Sequence, residues 1–324
     1  MILSASRRTD IPTYYSEWFF NRIREGFLYV RNPMNFRQIS KIDISPELVD
    51  CIVFWSKNPG PMLGRLDELK AYTYYFQFTL TGYEKDMEAG LPDKEGVMIP
   101  TFQRLSSKIG KERVIWRYDP IVLSEKYSIE YHLKTFEKYS ALLAGYTEKC
   151  AISFVDVYAK NKKNMEASGS GEIPREELNS FAKRIADMAR ANGMTMVSCA
   201  EAVDLEACGI AHNQCVDKEL IERLTGYRIK AGKDKGQREA CGCIESMEVG
   251  AYNTCRNGCR YCYANFSPAA VQANCGLYDP RSPLLCSEPV GPRDKVTERK
   301  VASLKGAPMD FSEQMSIFDR VWTV

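Results

Sequence analysis

Asn253-Thr-Cys-Arg-Asn-Gly-Cys-Arg-Tyr-Cys-Tyr-Ala-Asn265 sets Cys255, Cys259 and Cys262 in a C-x3-C-x2-C spacing on one short loop. Three thiolates that close suit one face of an iron–sulfur cluster, because iron in such clusters is held by cysteine sulfur. A cubane has four irons, so three local cysteines leave one iron open to a small molecule. Zinc ligation and simple burial are the other uses of cysteine. Structural zinc usually draws on two paired motifs, and this chain holds a single C-x2-C.

The rest of the composition agrees with a thiol-based site. The chain has 324 residues, with 12 cysteines and 2 histidines. Met1-Ile-Leu-Ser4 runs directly into Arg7-Arg8, which leaves no room for the apolar region of a secretory leader. So many cysteines without such a leader point to a reducing compartment and to metal or cluster ligation, and the protein reads as cytoplasmic. No apolar run reaches the roughly 18 residues of a spanning helix, so no membrane partner is expected. Hydrophobic content of 44% and charged content of 27% describe an ordinary globular chain, and a net charge of +2 gives no global field for nucleic acid. With only His132 and His212 present, a Ser-His-Asp hydrolase or a His-rich metalloenzyme is excluded as a leading reading. His132 falls in a helical stretch and is expected at its surface or boundary.

Short β-branched and aromatic runs alternate with helical stretches, the pattern of a parallel α/β fold. Strands are predicted at Ile2–Ser4, Cys51–Trp55, Tyr74–Leu80, Arg113–Arg117, Ala151–Asp156 and Thr195–Ser198, with one more at Met247–Tyr252. Helices are predicted near Tyr14–Glu25, Val97–Gly110, Ile129–Leu143 and Arg175–Asn192. In the last, Leu178, Phe181, Ile185 and Met188 share one face between Pro174 and a stop at Gly193. Asn161–Gly171 reads as a loop or flap. Four strands end in polar turns, Ser6–Asp10, Trp55–Pro59, Thr81–Tyr83 and Arg117–Pro120. In a barrel such turns converge on one mouth.

The cluster loop, ending Cys262-Tyr-Ala264, resembles that of the radical S-adenosylmethionine enzymes, and the motif order is similar to their spore photoproduct lyase-like branch. Arg8-Thr-Asp-Ile-Pro12 looks like the Thr-Asp-Pro-type turn of the strand that follows the cluster loop in that branch. Val53-Phe-Trp-Ser-Lys57, Phe78-Thr-Leu-Thr-Gly82 with Glu88-Ala-Gly-Leu-Pro92, and Trp116-Arg-Tyr-Asp-Pro-Ile121 look like its later elements. The loop normally follows the first strand, whereas here it comes last. The resemblance therefore implies an α/β partial TIM-type (β/α)6 barrel, circularly permuted, with the cluster loop near the C-terminus. Such a rejoining is tolerated where termini lie close together. The chain also looks like a large family of domains of unknown function (DUF1848) with a C-terminal cluster loop.

What the resemblance implies is a 4Fe–4S cluster on Cys255, Cys259 and Cys262, S-adenosylmethionine on the open iron, a 5′-deoxyadenosyl radical, and a flavodoxin- or ferredoxin-type reductant. Lys57 would meet the methionyl carboxylate. Asp10, Arg117 and Asp119 would hold ribose or substrate, or pair with each other, and Tyr261 and Tyr263 would flank the cofactors. The photoproduct lyases keep a hydrogen-donating cysteine where Arg7 and Arg8 stand here, so the same thymine repair does not follow, and no Gly-x-Ile-x-Gly adenine motif is visible.

A second group, Cys199, Cys208, Cys215, Cys241 and Cys243, precedes the loop. The resemblance to the family of unknown function singles out Cys199, Cys215, Cys241 and Cys243, which could hold a second 4Fe–4S cluster or zinc, or simply be buried. Cys51, Cys150, Cys275 and Cys286 read as structural. Basic residues in Tyr227–Arg238 could contact phosphates or form a solvated loop. The lyase-like resemblance, with the clamp-like peptide that follows, implies a nucleic-acid substrate, a damaged or modified base, as a partner to test. Gln314-Met-Ser-Ile-Phe318 resembles a sliding-clamp docking peptide. The barrel is expected over residues 1–275, including the cysteine-rich segment 199–262, and an extended tail over 276–324. The competing class is a non-catalytic iron–sulfur or zinc protein, a redox sensor or nucleic-acid-binding accessory factor.

Overall fold

The computed structural model describes residues 1–155 and 173–310. The flap and the clamp-like peptide expected from sequence lie outside the described residues.

Its strands are β1 (Ile2–Ala5), β2 (Phe27–Asn32), β3 (Asn35–Asp43), β4 (Cys51–Ser56), β5 (Tyr74–Thr79) and β6 (Val114–Ile121). They continue with β7 (Lys149–Phe154), β8 (Thr195–Ser198), β9 (Ala211–His212), β10 (Tyr227–Ile229), β11 (Met247–Glu248), β12 (Lys295–Glu298) and β13 (Lys305–Pro308). The helices are α1 (Ile11–Tyr14), α2 (Ser16–Glu25), α3 (Gly60–Leu63) and α4 (Ile99–Ile109). After them come α5 (Ile129–Leu142), α6 (Arg175–Ala191), α7 (Lys218–Thr225) and α8 (Pro268–Gly276).

Eight strands form one sheet in the order β11-β1-β4-β5-β6-β7-β8-β9, every neighbouring pair parallel. This is a mixed α/β fold with a large parallel sheet. It has two short edge strands more than the six-stranded expectation, and β9 and β11 are not paired with each other among the described residues. The strand latest in sequence, β11, sits beside the first, with Leu3 opposite Met247 and Ser4 opposite Glu248. It is shorter than the predicted Met247–Tyr252 run. The sequence reading omitted the antiparallel hairpin β2–β3, its parallel partner β12, and the β10–β13 pair. Residues of the C-terminal segment return to the body: Trp18 Nε1 donates to Ser282 O at 2.8 Å and Leu304 N to Asp50 Oδ2 at 2.7 Å.

Alternate residues of a strand face opposite sides, and here the sides differ. Leu3, Ile52, Phe54, Phe76, Phe78, Trp116 and Tyr118 enter one core with residues of α2, α4, α5 and α6, including Phe19, Phe102, Phe136 and Phe181. Ile2, Val53, Tyr75 and Ile115 enter a second cluster with Cys215, Val216, Leu220, Cys241 and Cys243. Continuous apolar runs such as Cys51-Ile-Val-Phe54 are what a parallel strand buried on both faces requires. Contrary to expectation, His132 is 1% exposed. It turns toward the sheet because Tyr118 Oη lies 2.8 Å from Nδ1 and Val122 O lies 3.0 Å from Nε2. A carbonyl only accepts, so Nε2 carries the proton and Nδ1 accepts from the tyrosine. Among the described residues, no helix is long and apolar enough to cross a membrane.

Candidate functional site

Going up the second face toward the carboxyl ends of the strands, apolar side chains give way to polar ones: Ser4 on β1, Trp55 on β4, Gln77 on β5, Arg117 and Asp119 on β6, and Ser153 on β7. The apolar lower half is plugged by residues after β9. Tyr75 Oη and Gln77 Nε2 donate to Cys215 O at 2.7 and 2.8 Å, and Asp217 N donates to Tyr75 Oη at 3.1 Å. Of the upper half, Trp55, Arg117, Asp119 and Ser153 line a cavity of about 310 Å3.

The three-cysteine loop closes that cavity because its two ends are tied together. Asn265 Oδ1 accepts from Thr254 N at 2.7 Å and Cys255 N at 2.8 Å, while its Nδ2 donates to Arg8 O at 3.0 Å. The loop also pairs with the segment after β5: Gly90 N donates to Asn257 O at 2.9 Å and Arg260 N to Met87 O at 3.0 Å. That approach needs glycine twice. A Cβ on Gly90 would collide with Arg256 O, and Gly258 has φ +66°.

Asp10, capping α1 after β1, is a hub with four donors. Its carboxylate accepts from Thr13 N at 3.0 Å, Ser56 Oγ at 2.7 Å, Lys57 N at 2.9 Å and Asn257 Nδ2 at 3.1 Å. It therefore fastens β1, β4 and the cysteine loop to each other. Lys57 Nζ donates to Glu88 Oε1 at 2.7 Å and to Tyr261 Oη at 2.8 Å. Glu88 is 1% exposed and also pairs with Lys94 and Tyr261, with Thr81 Oγ1 at 3.1 Å. Burial alone would raise the Glu88 carboxyl, but the two ammonium groups hold it down at about 2. Two lysines share one carboxylate, so the group keeps an excess positive charge beside the cavity. Arg117 Nε donates to Asp119 Oδ2 at 2.9 Å, Arg117 Nη1 to Cys215 Sγ at 2.8 Å, and Ser153 Oγ to Asp119. Tyr263 Oη donates to Arg7 O at 3.3 Å.

Cys255, Cys259 and Cys262 line the cavity together with Asp10, Lys57, Arg117, Asp119, Tyr261 and Tyr263. Cys199, Cys215, Cys241 and Cys243 line it as well. Burial pushes the Cys259 thiol up to about 12 and the Cys255 thiol well above its ordinary value, so any metal bound there must displace protons. Among the described residues, no three His, Cys, Asp or Glu side chains stand in the arrangement of a closed metal site. A cubane asks for something else: it takes each thiolate on a different iron, so the sulfurs need not converge on one point. Three soft sulfur donors, with excess positive charge nearby to offset theirs, fit an iron–sulfur cluster.

Sequence reasoning left Lys94, Asn257, Asn265, Arg7, Gln77 and Ser153 out of the site, and quoted Glu88 only within a motif. Asn257 and Asn265 stood inside the quoted loop, whereas nothing local marks Lys94. No curated protein matches the chain. The family model described as a domain of unknown function (DUF1848) matches residues 2–264, and the chain belongs to that family.

Proposed function

We propose that this protein is a radical S-adenosylmethionine enzyme with a 4Fe–4S cluster held by Cys255, Cys259 and Cys262, on a circularly permuted barrel of the photoproduct lyase-like type. The observation that carries this reading is the convergence of the three loop cysteines and the strand-end polar residues on one cavity. The position of β11 beside β1 supports the permuted order, since it puts the strand leading into the cysteine loop at the first-strand edge of the sheet. When both cofactors are bound, the chemistry supplied is one-electron cleavage of a carbon–sulfur bond to a hydrogen-abstracting 5′-deoxyadenosyl radical.

The chain's own residues bind, orient and exclude water. Asn265 and Asn257 fix the loop backbone, so the thiols are presented from a frame tied to Arg8 and Asp10. Lys57 and Lys94, sharing Glu88, attract an anionic group such as a carboxylate through their excess charge. Asp119, oriented by Arg117 and Ser153, offers an acceptor for a hydroxyl. Trp55, Phe154 and Tyr261 wall the cavity against solvent.

The test is binding, read by spectroscopy. Anaerobic reconstitution should give iron and sulfide in equal amounts on the loop, and S-adenosylmethionine should alter the electron paramagnetic resonance of the reduced cluster. Cys259→Ala should lose that signal. An unaltered spectrum in a cluster-loaded wild type would sink the reading.

A further inference from the structure

Outside the C-x3-C-x2-C loop, two thiols in the cavity wall meet. Cys199 follows β8 and Cys215 follows β9, and their Sγ atoms lie 3.0 Å apart. Both residues line the cavity and neither is in a disulfide. The fold holds each of them in place. Cys199 N donates to Ile152 O of β7 at 2.7 Å, and Asn213 N donates to Ser198 O at 2.8 Å, which ties the two stretches together. The Cys215 carbonyl accepts from Tyr75 Oη and Gln77 Nε2, and its Sγ accepts from Arg117 Nη1 at 2.8 Å.

We propose that Cys199 and Cys215 form a redox-active dithiol that exchanges with small disulfides admitted to the cavity, closing to a Cys199–Cys215 disulfide as the ligand is reduced. Bringing two chain segments together is the entropic cost of closing such a bond. Here the fold has already brought the ends together. A disulfide of about 2.05 Å needs the two sulfurs to approach by only about 1 Å.

The two cysteines differ in access, and that assigns their roles. Cys199 is half-buried, whereas Cys215 is 2% exposed, so Cys199 is the sulfur that an entering ligand meets. Its thiolate attacks one sulfur of the ligand disulfide and breaks the ligand's S–S bond. One half of the ligand leaves as a thiolate and takes up a proton, and the other half stays on Cys199 as a mixed disulfide. The Cys215 thiolate then attacks the Cys199 sulfur and expels the second half, which takes up a proton in turn. Two electrons and two protons pass from the pair to the ligand. Thiolate is the nucleophile in both steps. The guanidinium hydrogen bond to Cys215 Sγ favours that form for the second attack.

The inference does not rest on the radical reading, since the exchange needs neither an iron–sulfur cluster nor S-adenosylmethionine. The probe is 2-hydroxyethyl disulfide. The full-length wild type is incubated with it anaerobically and quenched in acid, the remaining thiols are alkylated, and the peptides are mapped by mass spectrometry. The expected result is loss of two of the 12 thiols, release of two molecules of 2-mercaptoethanol per chain, and a Cys199–Cys215 crosslink that dithiothreitol reverses. Cys215→Ser should stop at the mixed disulfide on Cys199, and Cys199→Ser should react at least about tenfold more slowly. A crosslink at other cysteines, such as Cys241 with Cys243, would overturn the proposal. So would an intact pair under conditions that fully oxidise a free dithiol, or a pair that resists alkylation until bound metal is removed. The wild-type mapping needs no substitution, so a variant that fails to fold leaves the test intact.

Discussion

Phe54 and Trp55 are neighbours on β4 and face opposite ways. Phe54 is fully buried among Phe76, Phe19 and Tyr74, at ring distances of 4.7, 5.2 and 6.1 Å. Trp55 donates to Ser4 Oγ at 3.2 Å and lies under the guanidinium groups of Arg7 and Arg117. The outer face is held mainly by apolar contact, and the polar atoms it buries are hydrogen-bonded. The inner face is held by hydrogen bonds and ion pairs around a cavity. One strand pattern makes both, because period two sorts its residues to the two sides. The lesson is that the inner face gives up apolar burial to keep charged groups poised where a ligand can reach them.

Substitutions on each face should break this contrast in different ways. On the outer face Phe54→Ala opens a cavity in the aromatic cluster and should cost about 4 kcal/mol. Denaturant unfolding reads it, and a loss below about 1 kcal/mol would mean the outer core is not tightly packed. On the inner face Glu88→Gln strands two buried ammonium groups and should cost about 3 kcal/mol. It should also weaken retention of iron by the loop, which Phe54→Ala should not do at temperatures where it is folded.

The outer layer also buries a titratable imidazole, and pH exposes it. Burial holds the His132 imidazole down at about 4, against an ordinary 6.5, with the Val122 bond acting the other way. The unfolded chain takes up a proton as pH falls through 6.5, while the folded chain stays neutral until about 4. His132 therefore contributes full stability above pH 6.5 and loses up to about 3 kcal/mol as pH drops toward 4. His132→Gln should flatten that part of the stability–pH curve relative to wild type. Identical slopes would mean the imidazole titrates alike in the folded and unfolded chains. The smallest effect belongs to Gln77→Leu, which removes one of two donors to Cys215 O and should cost about 1 kcal/mol.

These contrasts also explain what could be read from sequence. The apolar runs of β4, β5 and β6 and the one-faced pattern of α6 are strong local signals, so most of the sheet was legible. The hairpin β2–β3 was missed because Arg31-Asn-Pro-Met-Asn35 reads as a plain loop, and its strands hold many polar residues. Short β9, β12 and β13 depend on partners far along the chain, which no local pattern encodes. His132 was misplaced because helical periodicity does not tell which face a lone imidazole takes. At the site, cysteine spacing marked the loop, and the strand-end turns pointed to Asp10, Lys57, Arg117 and Asp119. The placement of Lys94 and Arg7 rests on tertiary pairing with Glu88 and Asp234.

The central claim is tested most directly by product formation. The anaerobically reconstituted, reduced protein is mixed with S-adenosylmethionine, and 5′-deoxyadenosine is measured beside Cys259→Ala. Release by wild type and none by the variant is the predicted result. No release from a chain shown to carry the cluster, or equal release from the variant, would contradict it.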